Sequence, residues 1–103
     1  MTKKELVSSG AFKSAPDDAL IVYIESDGTL HNIGSCQCRH NRTELLFCSC
    51  TRAMSKGDML SDVQFLHASS GAEIMLSDRC GVRYSWECSV SYDNGSVVIT
   101  EDF

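Results

Sequence analysis

Four of the six cysteines form two Cys-x-Cys pairs with nine residues between them: Cys36, Cys38, Cys48 and Cys50. In a β-strand, residues i and i+2 project from the same face. A hairpin that folds back near Thr43 would therefore bring all four thiols onto one patch. The facing pairs would be Cys36–Cys50 and Cys38–Cys48, with His40 close by. The spacing predicts a thiol-rich sheet surface, whose chemistry has three interpretations.

The first interpretation is a zinc site made of the four sulfurs, or of three sulfurs and His40. Structural zinc sites of this kind usually pair cysteines across a tight turn with roughly two to four intervening residues. Two cysteines on one face of a strand lie about 6.5–7 Å apart, which is a poor match. The second is a disulfide, across strands or with Cys80 or Cys88, which is uncommon in a cytosolic chain. The third, which we favour, is that the cysteines pack as small buried hydrophobic residues.

The sequence predicts that the chain is not an enzyme. Cys–His catalysis needs contact between the two side chains and a third group that orients the base. No local signature links His31, His40 or His67 to a particular cysteine. The sequence also contains no Gly-x-Ser-x-Gly elbow, phosphate-binding glycine loop or His-Glu-x-x-His motif. We therefore expect no catalytic residue and, apart from zinc under the first interpretation, no cofactor.

The elements that must position these side chains begin with a short helix over residues 3–12, which starts at a Thr2/Glu5 capping box. A strand over residues 20–24 follows, and Asp27-Gly28 predicts a two-residue hairpin turn. The expected cross-strand pairs are Ile24–His31, Val22–Ile33 and Tyr23–Asn32. His31 is therefore expected to be a partly buried, structural histidine. We expect a loop over residues 51–62 that can include one helical turn, and strands over residues 63–66 and 72–76.

Asn94-Gly95 is the strongest turn signal in the chain, because both residues tolerate the positive φ of a two-residue hairpin turn. The turn puts two sets of residues on one face of the closing hairpin: Tyr84, Trp86, Cys88, Val90 and Tyr92 with Val97, Ile99, Glu101 and Phe103. The predicted fold class is α+β, in a single domain over residues 1–103. A short N-terminal helix packs on a mostly antiparallel sheet of about six strands built from hairpins.

Charge is distributed unevenly along the 103 residues, whose net charge is −5. Residues 1–13 carry +2, residues 14–38 carry −4, residues 39–56 carry +3 and residues 57–103 carry −6. An acidic chain argues against direct nucleic-acid binding. No apolar run approaches the roughly 20 residues that cross a bilayer, and the first residues lack the apolar stretch of a signal peptide. We therefore expect a cytoplasmic protein with no membrane partner.

Two segments resemble a group of known proteins. They are Thr2-Lys3-Lys4-Glu5-Leu6-Val7 with Pro16-Asp17-Asp18-Ala19, and Asp93-Asn94-Gly95-Ser96-Val97-Val98-Ile99. The pattern resembles small phage and prophage accessory proteins, in which a Lys-Glu-Leu helix, a Pro-Asp-Asp-Ala turn and a strand open the chain. The cysteine segment and residues 51–80 depart from it. The resemblance implies a non-enzymatic protein of the host cytoplasm that binds and blocks a host machine.

Three functional hypotheses follow. The first is a phage-type accessory protein that inhibits a host factor, such as a defence (anti-CRISPR-like) or nucleic-acid-handling complex, through its charged surface. The partner-binding residues would be Glu73, Asp78, Glu87, Asp93, Glu101, Asp102, Arg39, Arg42 and Arg52. The second is a zinc-stabilised structural or adaptor domain that uses the four cysteines of the Cys-x-Cys pairs. The third is a homo-oligomeric sponge for a signalling nucleotide, with phosphate contacts from Arg39, Arg42, Arg52 and Lys56.

Overall fold

A computed structural model describes residues 1–85 and 87–102 of the chain. Its helices are α1 (Lys3–Ser8), α2 (Gly10–Ser14), α3 (Lys56–Ser61) and α4 (Val63–His67). Its strands are β1 (Leu20–Ile24), β2 (Leu30–Arg39), β3 (Glu44–Cys50), β4 (Glu73–Asp78), β5 (Gly81–Tyr84), β6 (Cys88–Asp93) and β7 (Ser96–Glu101). The predicted α+β class is confirmed, with several short helices where one was expected.

The strands form one mixed sheet in the order β5-β4-β3-β2-β1-β7-β6. Four neighbouring pairs are antiparallel, whereas β1–β7 and β3–β4 are parallel. A parallel pair needs a long crossover connection, and α3 and α4 provide it between β3 and β4. The sheet is therefore antiparallel in most of its pairs, but it is not built from hairpins alone.

The closing hairpin is confirmed for β6 and β7. Asn94 and Gly95 both have positive φ, of 48° and 80°. The cross-strand pairs include Tyr92–Val97, Val90–Ile99 and Cys88–Glu101. Tyr84 belongs instead to β5, and the predicted positions of Trp86 and Phe103 lie outside the described residues.

The two edge strands are joined by a segment that is short for a sheet of this width. A flat sheet of seven strands would hold its edge strands about 29 Å apart, at about 4.8 Å per strand. β5 ends at Tyr84 and β6 begins at Cys88, and four Cα–Cα steps span at most about 14 Å. The sheet must therefore curl. In agreement, the Tyr23 hydroxyl of β1 lies 3.0 Å from the Ser85 hydroxyl, just beyond β5.

The hydrophobic core lies between the helices and one face of the curled sheet. The helices bury Leu6, Phe12, Met59 and Phe65. The strands bury alternate residues, including Ile21, Tyr23, Leu45, Phe47, Ile74, Leu76, Val97 and Ile99. Helices this short do not form alone in water, so this packing stabilises them. No helix within residues 1–85 and 87–102 is long and apolar enough to cross a membrane.

The strand predicted over residues 63–66 is wrong, because this segment forms α4. The Asp62 carboxylate accepts hydrogen bonds from the amides of Gln64 at 2.8 Å and Phe65 at 3.4 Å, and such a cap favours a helix start. A short apolar run alone does not distinguish a strand from a helix. The strand predicted over residues 72–76 is confirmed as β4, and the predicted loop over residues 51–62 contains α3.

The predicted pairing of β1 with β2 is displaced by one residue. The observed pairs are Val22–Asn32, Tyr23–His31 and Ile24–Leu30. The turn has three residues, 26–28, rather than two: the amide of Glu25 donates to the Thr29 carbonyl at 2.9 Å, and Gly28 has a φ of 92°. Three-residue hairpin loops commonly end in such a left-handed residue. His31 therefore lies opposite Tyr23, and not opposite an isoleucine.

Candidate functional site

A cleft of about 670 Å³ opens at one end of the sheet, between the β1–β2 turn and the β4–β5 turn. The residues that line it include His31 of β2, Ser49 of β3, Glu25, Asp78 and Arg83. Its volume falls within the range of small-molecule clefts, although its lining residues are charged and polar rather than mainly apolar.

The cleft lies where the parallel strands of the sheet end. β3 and β4 run parallel, so the ends that carry Ser49 and Asp78 meet at the same edge. β1 runs in the same direction, because β2 is antiparallel to both β1 and β3, and Glu25 directly follows β1. Open sheets with parallel strands commonly bind ligands beyond these carboxyl ends. The topology therefore gathers three polar side chains that are distant in sequence.

An aspartate fixes each of the two turns that flank the cleft. Asp27 Oδ1 accepts a hydrogen bond from the Thr29 amide at 2.9 Å, and this bond holds the pKa of Asp27 below its ordinary value. Asp78 Oδ1 accepts from the Cys80 amide at 2.8 Å, and Gly81 has a φ of 122°. Aspartate favours turns through such bonds. Turn chemistry thus fixes one oxygen of Asp78, while the other faces the cleft.

The His31 ring is held between two partners. Its Nδ1 lies 2.9 Å from Ser49 Oγ, and its Nε2 lies 2.5 Å from Glu25 Oε2. The same Nε2 is 3.9 Å from Asp78 Oδ2. His31 is partly buried, as predicted. Its partners are polar, however, and they fix the orientation of the ring in the cleft.

Arg83 of β5 completes the cluster. Its Nη2 lies 2.5 Å from Glu25 Oε1 and 3.9 Å from Asp78 Oδ2. Burial on its own would lower the pKa of Arg83, but the hydrogen bond and charge of Glu25, with the charge of Asp78, raise it overall. Arg83 therefore remains a cation and offsets part of the negative charge of the two carboxylates.

None of these residues was predicted to share a site, and of them only Asp78 was predicted to contact a partner. The available signal was the pair of Asp-containing turns, Asp27-Gly28 and Asp78-Arg79-Cys80-Gly81, which bring polar residues to strand ends. Their proximity depends on the strand order, which the sequence pattern does not determine.

The four cysteines of the Cys-x-Cys pairs do not share one patch. β2 and β3 pair as Cys36–Phe47 and Cys38–Leu45. Cys36 and Cys38 therefore lie on the face of the buried Phe47 and Leu45, whereas Cys48 and Cys50 project from the opposite face. The predicted pairs Cys36–Cys50 and Cys38–Cys48 are wrong, and the four-sulfur zinc site loses its geometric basis.

The β2–β3 turn causes this difference. His40, Asn41 and Arg42 have positive φ values of 53°, 54° and 74°, and the strands resume pairing at Arg39–Glu44. The turn is therefore centred between residues 41 and 42 rather than at Thr43. A register change by an odd number of residues moves a side chain to the other face. His40 is exposed, with its Nε2 3.4 Å from Glu44 Oε1.

All six cysteines lie within the described residues, and all are free thiols. Burial raises the pKa of Cys36 to about 12, with a smaller effect from the charge of Asp62. Burial also raises the pKa of Cys88. These two thiols fit the interpretation of cysteine as a small core residue. Cys50 and Cys80 are exposed and line the cleft.

Glu101 was predicted to bind a partner at the surface, and this prediction is wrong because the residue is buried. It is 8% exposed, because the alternation of β7 directs it to the core side with Val97 and Ile99. Its Oε2 accepts from the Tyr23 hydroxyl at 2.6 Å, and its Oε1 accepts from the Ser26 amide at 3.0 Å. Its carboxylate is therefore engaged inside the protein.

The other acidic candidates differ in their surroundings. Glu87, Asp93 and Asp102 are exposed. Asp78 lies in the cleft, and the Glu73 carboxylate lies 3.7 Å from the amino group of Met1. Only the first three form an outward acidic surface, and they adjoin the two strands of the closing hairpin.

The basic candidates are largely engaged within the chain. Arg39 Nε donates to Glu44 Oε1 at 2.8 Å, and Arg42 Nε donates to the His67 carbonyl at 2.7 Å. Arg52 is exposed. Lys56 is buried at 7% exposure. Its ammonium donates to the carbonyls of Phe12, Lys13 and Ala15 at 2.6, 3.2 and 2.8 Å.

Two kinds of chemistry are open to the cleft. The order Ser49–His31–Glu25 resembles the nucleophile, base and orienting group of serine hydrolases, although here Nδ1 rather than Nε2 faces the serine. Glu25, His31 and Asp78 also offer ligand atoms that all lie within 4.8 Å of one another, close enough to hold a metal ion. That the chain is not an enzyme remains a prediction.

Comparisons of the chain with protein-family models, with curated proteins and with solved structures found no match.

Proposed function

We propose that the protein binds a small anionic ligand in the cleft between the β1–β2 and β4–β5 turns, and that it acts by sequestering this ligand. The observation that carries the proposal is that two arginines, Arg79 and Arg83, line a cleft of about 670 Å³. Arginine is favoured for phosphate and carboxylate recognition, because its planar guanidinium can donate two parallel hydrogen bonds.

The other residues that line the cleft suit the uncharged part of such a ligand. Glu25 and Asp27 supply acceptors, and Thr29, Ser49 and Thr51 supply hydroxyl groups. A ligand with an anionic group at one end and hydrogen-bond donors at the other, such as a nucleotide, matches this arrangement. This ligand class is the one predicted by the sponge hypothesis.

Most of the basic residues that the sequence suggested as phosphate contacts are already hydrogen-bonded within the chain. Lys56 is fully engaged with three backbone carbonyls, and Arg39 and Arg42 are bonded to Glu44 and to the His67 carbonyl. Arg79 takes their place in the proposal, together with Arg83, whose guanidinium also contacts Glu25. A homo-oligomer is not required, because one chain supplies the cleft.

Mass spectrometry of the denatured protein tests for a co-purified nucleotide. Calorimetric titrations with nucleoside mono-, di- and triphosphates and cyclic dinucleotides then measure affinity for the wild type and for Arg79→Ala. The expected loss for Arg79→Ala is about 10- to 100-fold, since a hydrogen bond to a charged group contributes roughly 1.5–3 kcal/mol. Arg52→Ala is the matched control, because Arg52 is exposed outside the cleft. The proposal fails if no probe binds, or if both variants lose affinity equally.

The exposed acidic surface favours a second candidate function, the inhibition of a host protein. β6 is an edge strand of the sheet, and edge strands can accept a partner strand. Glu87, Asp93 and Asp102, which are exposed, flank or adjoin β6 and would favour a basic partner. This candidate keeps the phage-type accessory role, with the partner on β6.

A pull-down from a bacterial lysate tests the second candidate. Wild-type protein is compared with a variant in which Glu87, Asp93 and Asp102 are replaced by lysine. Asp17→Lys/Asp18→Lys is the control, because these acids are exposed in the turn before β1. A partner retained by wild type and control, lost by the triple variant and weakened by salt would support the proposal. Equal capture by all three proteins at every salt concentration would contradict it.

A further inference from the structure

We propose that Glu25, His31 and Asp78 bind a divalent transition-metal ion, which competes with the Arg83 guanidinium for the two carboxylates. The proposal goes beyond anion binding and does not depend on it. One imidazole nitrogen and two carboxylate oxygens are the donors that metals such as Zn²⁺, Mn²⁺ and Co²⁺ accept in proteins. The imidazole favours these ions over Mg²⁺ and Ca²⁺, which prefer oxygen ligands.

The three ligand atoms already lie near the required geometry. Zinc binds nitrogen and oxygen ligands at about 2.0–2.2 Å, which places neighbouring ligand atoms roughly 3–3.5 Å apart. His31 Nε2 is 2.5 Å from Glu25 Oε2 and 3.9 Å from Asp78 Oδ2, and the full set lies within 4.8 Å. Small side-chain rotations within the allowed rotamers would move the ligand atoms by about an ångström and centre an ion among them.

Groups outside the set orient two of the ligands. His31 Nδ1 lies 2.9 Å from Ser49 Oγ. A hydroxyl can accept a hydrogen bond as well as donate one. When Nδ1 carries the proton, it can therefore donate to Ser49 Oγ, and the lone pair of Nε2 is then available to the metal. A metal-bound histidine usually has such a partner on its other nitrogen. Asp78 Oδ1 is held by the Cys80 amide at 2.8 Å, which leaves Oδ2 for the metal.

The Arg83 guanidinium already interacts with both carboxylates that would bind the metal. Its Nη2 contacts Glu25 Oε1 and lies 3.9 Å from Asp78 Oδ2, so a positive charge already sits between the two carboxylates. The Arg83 side chain is 43% exposed and can leave the cleft for solvent. Metal binding then releases this guanidinium, together with the proton from His31 Nε2 where that nitrogen is protonated. The arginine therefore competes with the metal.

This competition can be tested, because removing a ligand and removing Arg83 should change the metal affinity in opposite directions. Protein is freed of metal with a chelator and titrated with Mn²⁺, followed by electron paramagnetic resonance and calorimetry in buffer without phosphate or nucleotide. We expect one site per chain. Asp78→Asn and His31→Gln should each weaken Mn²⁺ binding by at least 10-fold. Arg83→Gln should strengthen it by about 10-fold, because it removes the competing charge.

The exposed thiols of the cleft require a control. Cys50 and Cys80 also line it and could capture a thiophilic ion. Co²⁺ therefore serves as the second probe, because thiolate ligands give an intense charge-transfer band that nitrogen and oxygen ligands do not. We expect no such band, and Cys50→Ser/Cys80→Ser should bind Mn²⁺ as the wild type does.

Each other outcome overturns the metal proposal. Binding that persists in His31→Gln but is lost in the double serine variant would assign the ion to the thiols. Weaker binding in Arg83→Gln would show that Arg83 supports the site rather than competes with it. Asp78→Asn is nearly isosteric, and unchanged circular dichroism would confirm that it folds. Since the titration contains no phosphate or nucleotide, its failure leaves the Arg79 experiment unaffected.

Discussion

The Tyr23 hydroxyl donates to Glu101 Oε2 at 2.6 Å, which joins the side chains of the adjacent parallel strands β1 and β7 inside the core. The same hydroxyl lies 3.0 Å from Ser85 Oγ, where the chain leaves β5. Glu101 also accepts from the Ser26 amide at 3.0 Å. One buried hydrogen-bond network therefore connects the centre of the sheet with the segment that joins its edges.

Replacing Tyr23 with phenylalanine should destabilise the fold by about 1–3 kcal/mol, because it leaves a buried carboxylate oxygen without its donor. Urea unfolding followed by circular dichroism measures the change. Tyr92→Phe is the matched control, because Tyr92 is 44% exposed on the edge strand β6. Equal stability of the two variants would contradict a stabilising role for the network.

The stability should also fall at high pH through Tyr23. Burial, and then the hydrogen bond to Glu101, raise the pKa of Tyr23 well above its ordinary value. The folded protein therefore holds the phenolic proton more tightly than the unfolded chain does. This contribution is fully present below about pH 10, the ordinary tyrosine pKa, and is lost as the pH rises further. The unfolding free energy of Tyr23→Phe, measured from pH 8 to 11, should decline less steeply.

Capping and turn motifs in the sequence identified the helices and strands themselves more reliably than the positions of these elements relative to one another. The Thr2/Glu5 capping box is present, with the Glu5 amide donating to Thr2 Oγ1 at 3.2 Å, and the Asn94-Gly95 turn set the register of β6 and β7 correctly. Both signals act within a few residues. The α+β class followed from such signals, whereas the parallel pairs β1–β7 and β3–β4 join segments far apart in sequence.

The candidate site could not be read from the sequence, because two turns determine which face each side chain occupies. A three-residue turn in place of a two-residue one moved His31 from opposite Ile24 to opposite Tyr23. The β2–β3 turn separated the paired cysteines onto two faces. The first register shift is one residue and the second is three, and a shift by any odd number reverses the face. The residue types at the turn do not fix its length.

The six thiols should differ sharply in reactivity. Burial raises the pKa of Cys36 to about 12, and the thiolate is the reactive form. At pH 8 we expect Cys50 and Cys80, which are exposed, to be alkylated first. Cys36 should react at least roughly 100-fold more slowly. Peptide mapping after timed iodoacetamide labelling measures each rate. Full labelling of Cys36 in the folded protein would contradict its placement in the core.

Lys56 should be more important for stability than other lysines. Its buried ammonium donates to the carbonyls of Phe12, Lys13 and Ala15, at the end of α2. Lys56→Met keeps the apolar stem but leaves these carbonyls without a donor, so the expected cost is about 2–4 kcal/mol. Thermal unfolding compares it with Lys13→Met, whose side chain is exposed. A cost shared equally by both variants would contradict the capping role.

Gly34 should tolerate no side chain, because the irregularity in β2 depends on it. The β2–β3 register shifts between Ile33 and Ser35, so that Ile33 and Cys36 both face the core. A Cβ at Gly34 would lie 2.5 Å from the Arg52 carbonyl oxygen and 2.6 Å from Cys50 Cβ. Glycine within a strand often marks such a bulge or close approach.

Gly34→Ala should therefore lower the free energy of unfolding by about 1–3 kcal/mol, the usual cost of overpacking. It should also displace Cys50, which lines the cleft, and so weaken ligand binding there. Gly10→Ala is the control, since a Cβ at Gly10 meets nothing within 4 Å and alanine is the better helix former. Urea unfolding and the binding titrations are measured on both variants. If Gly34→Ala is as stable as Gly10→Ala, β3 does not approach β2 this closely, and the bulge does not position the cleft.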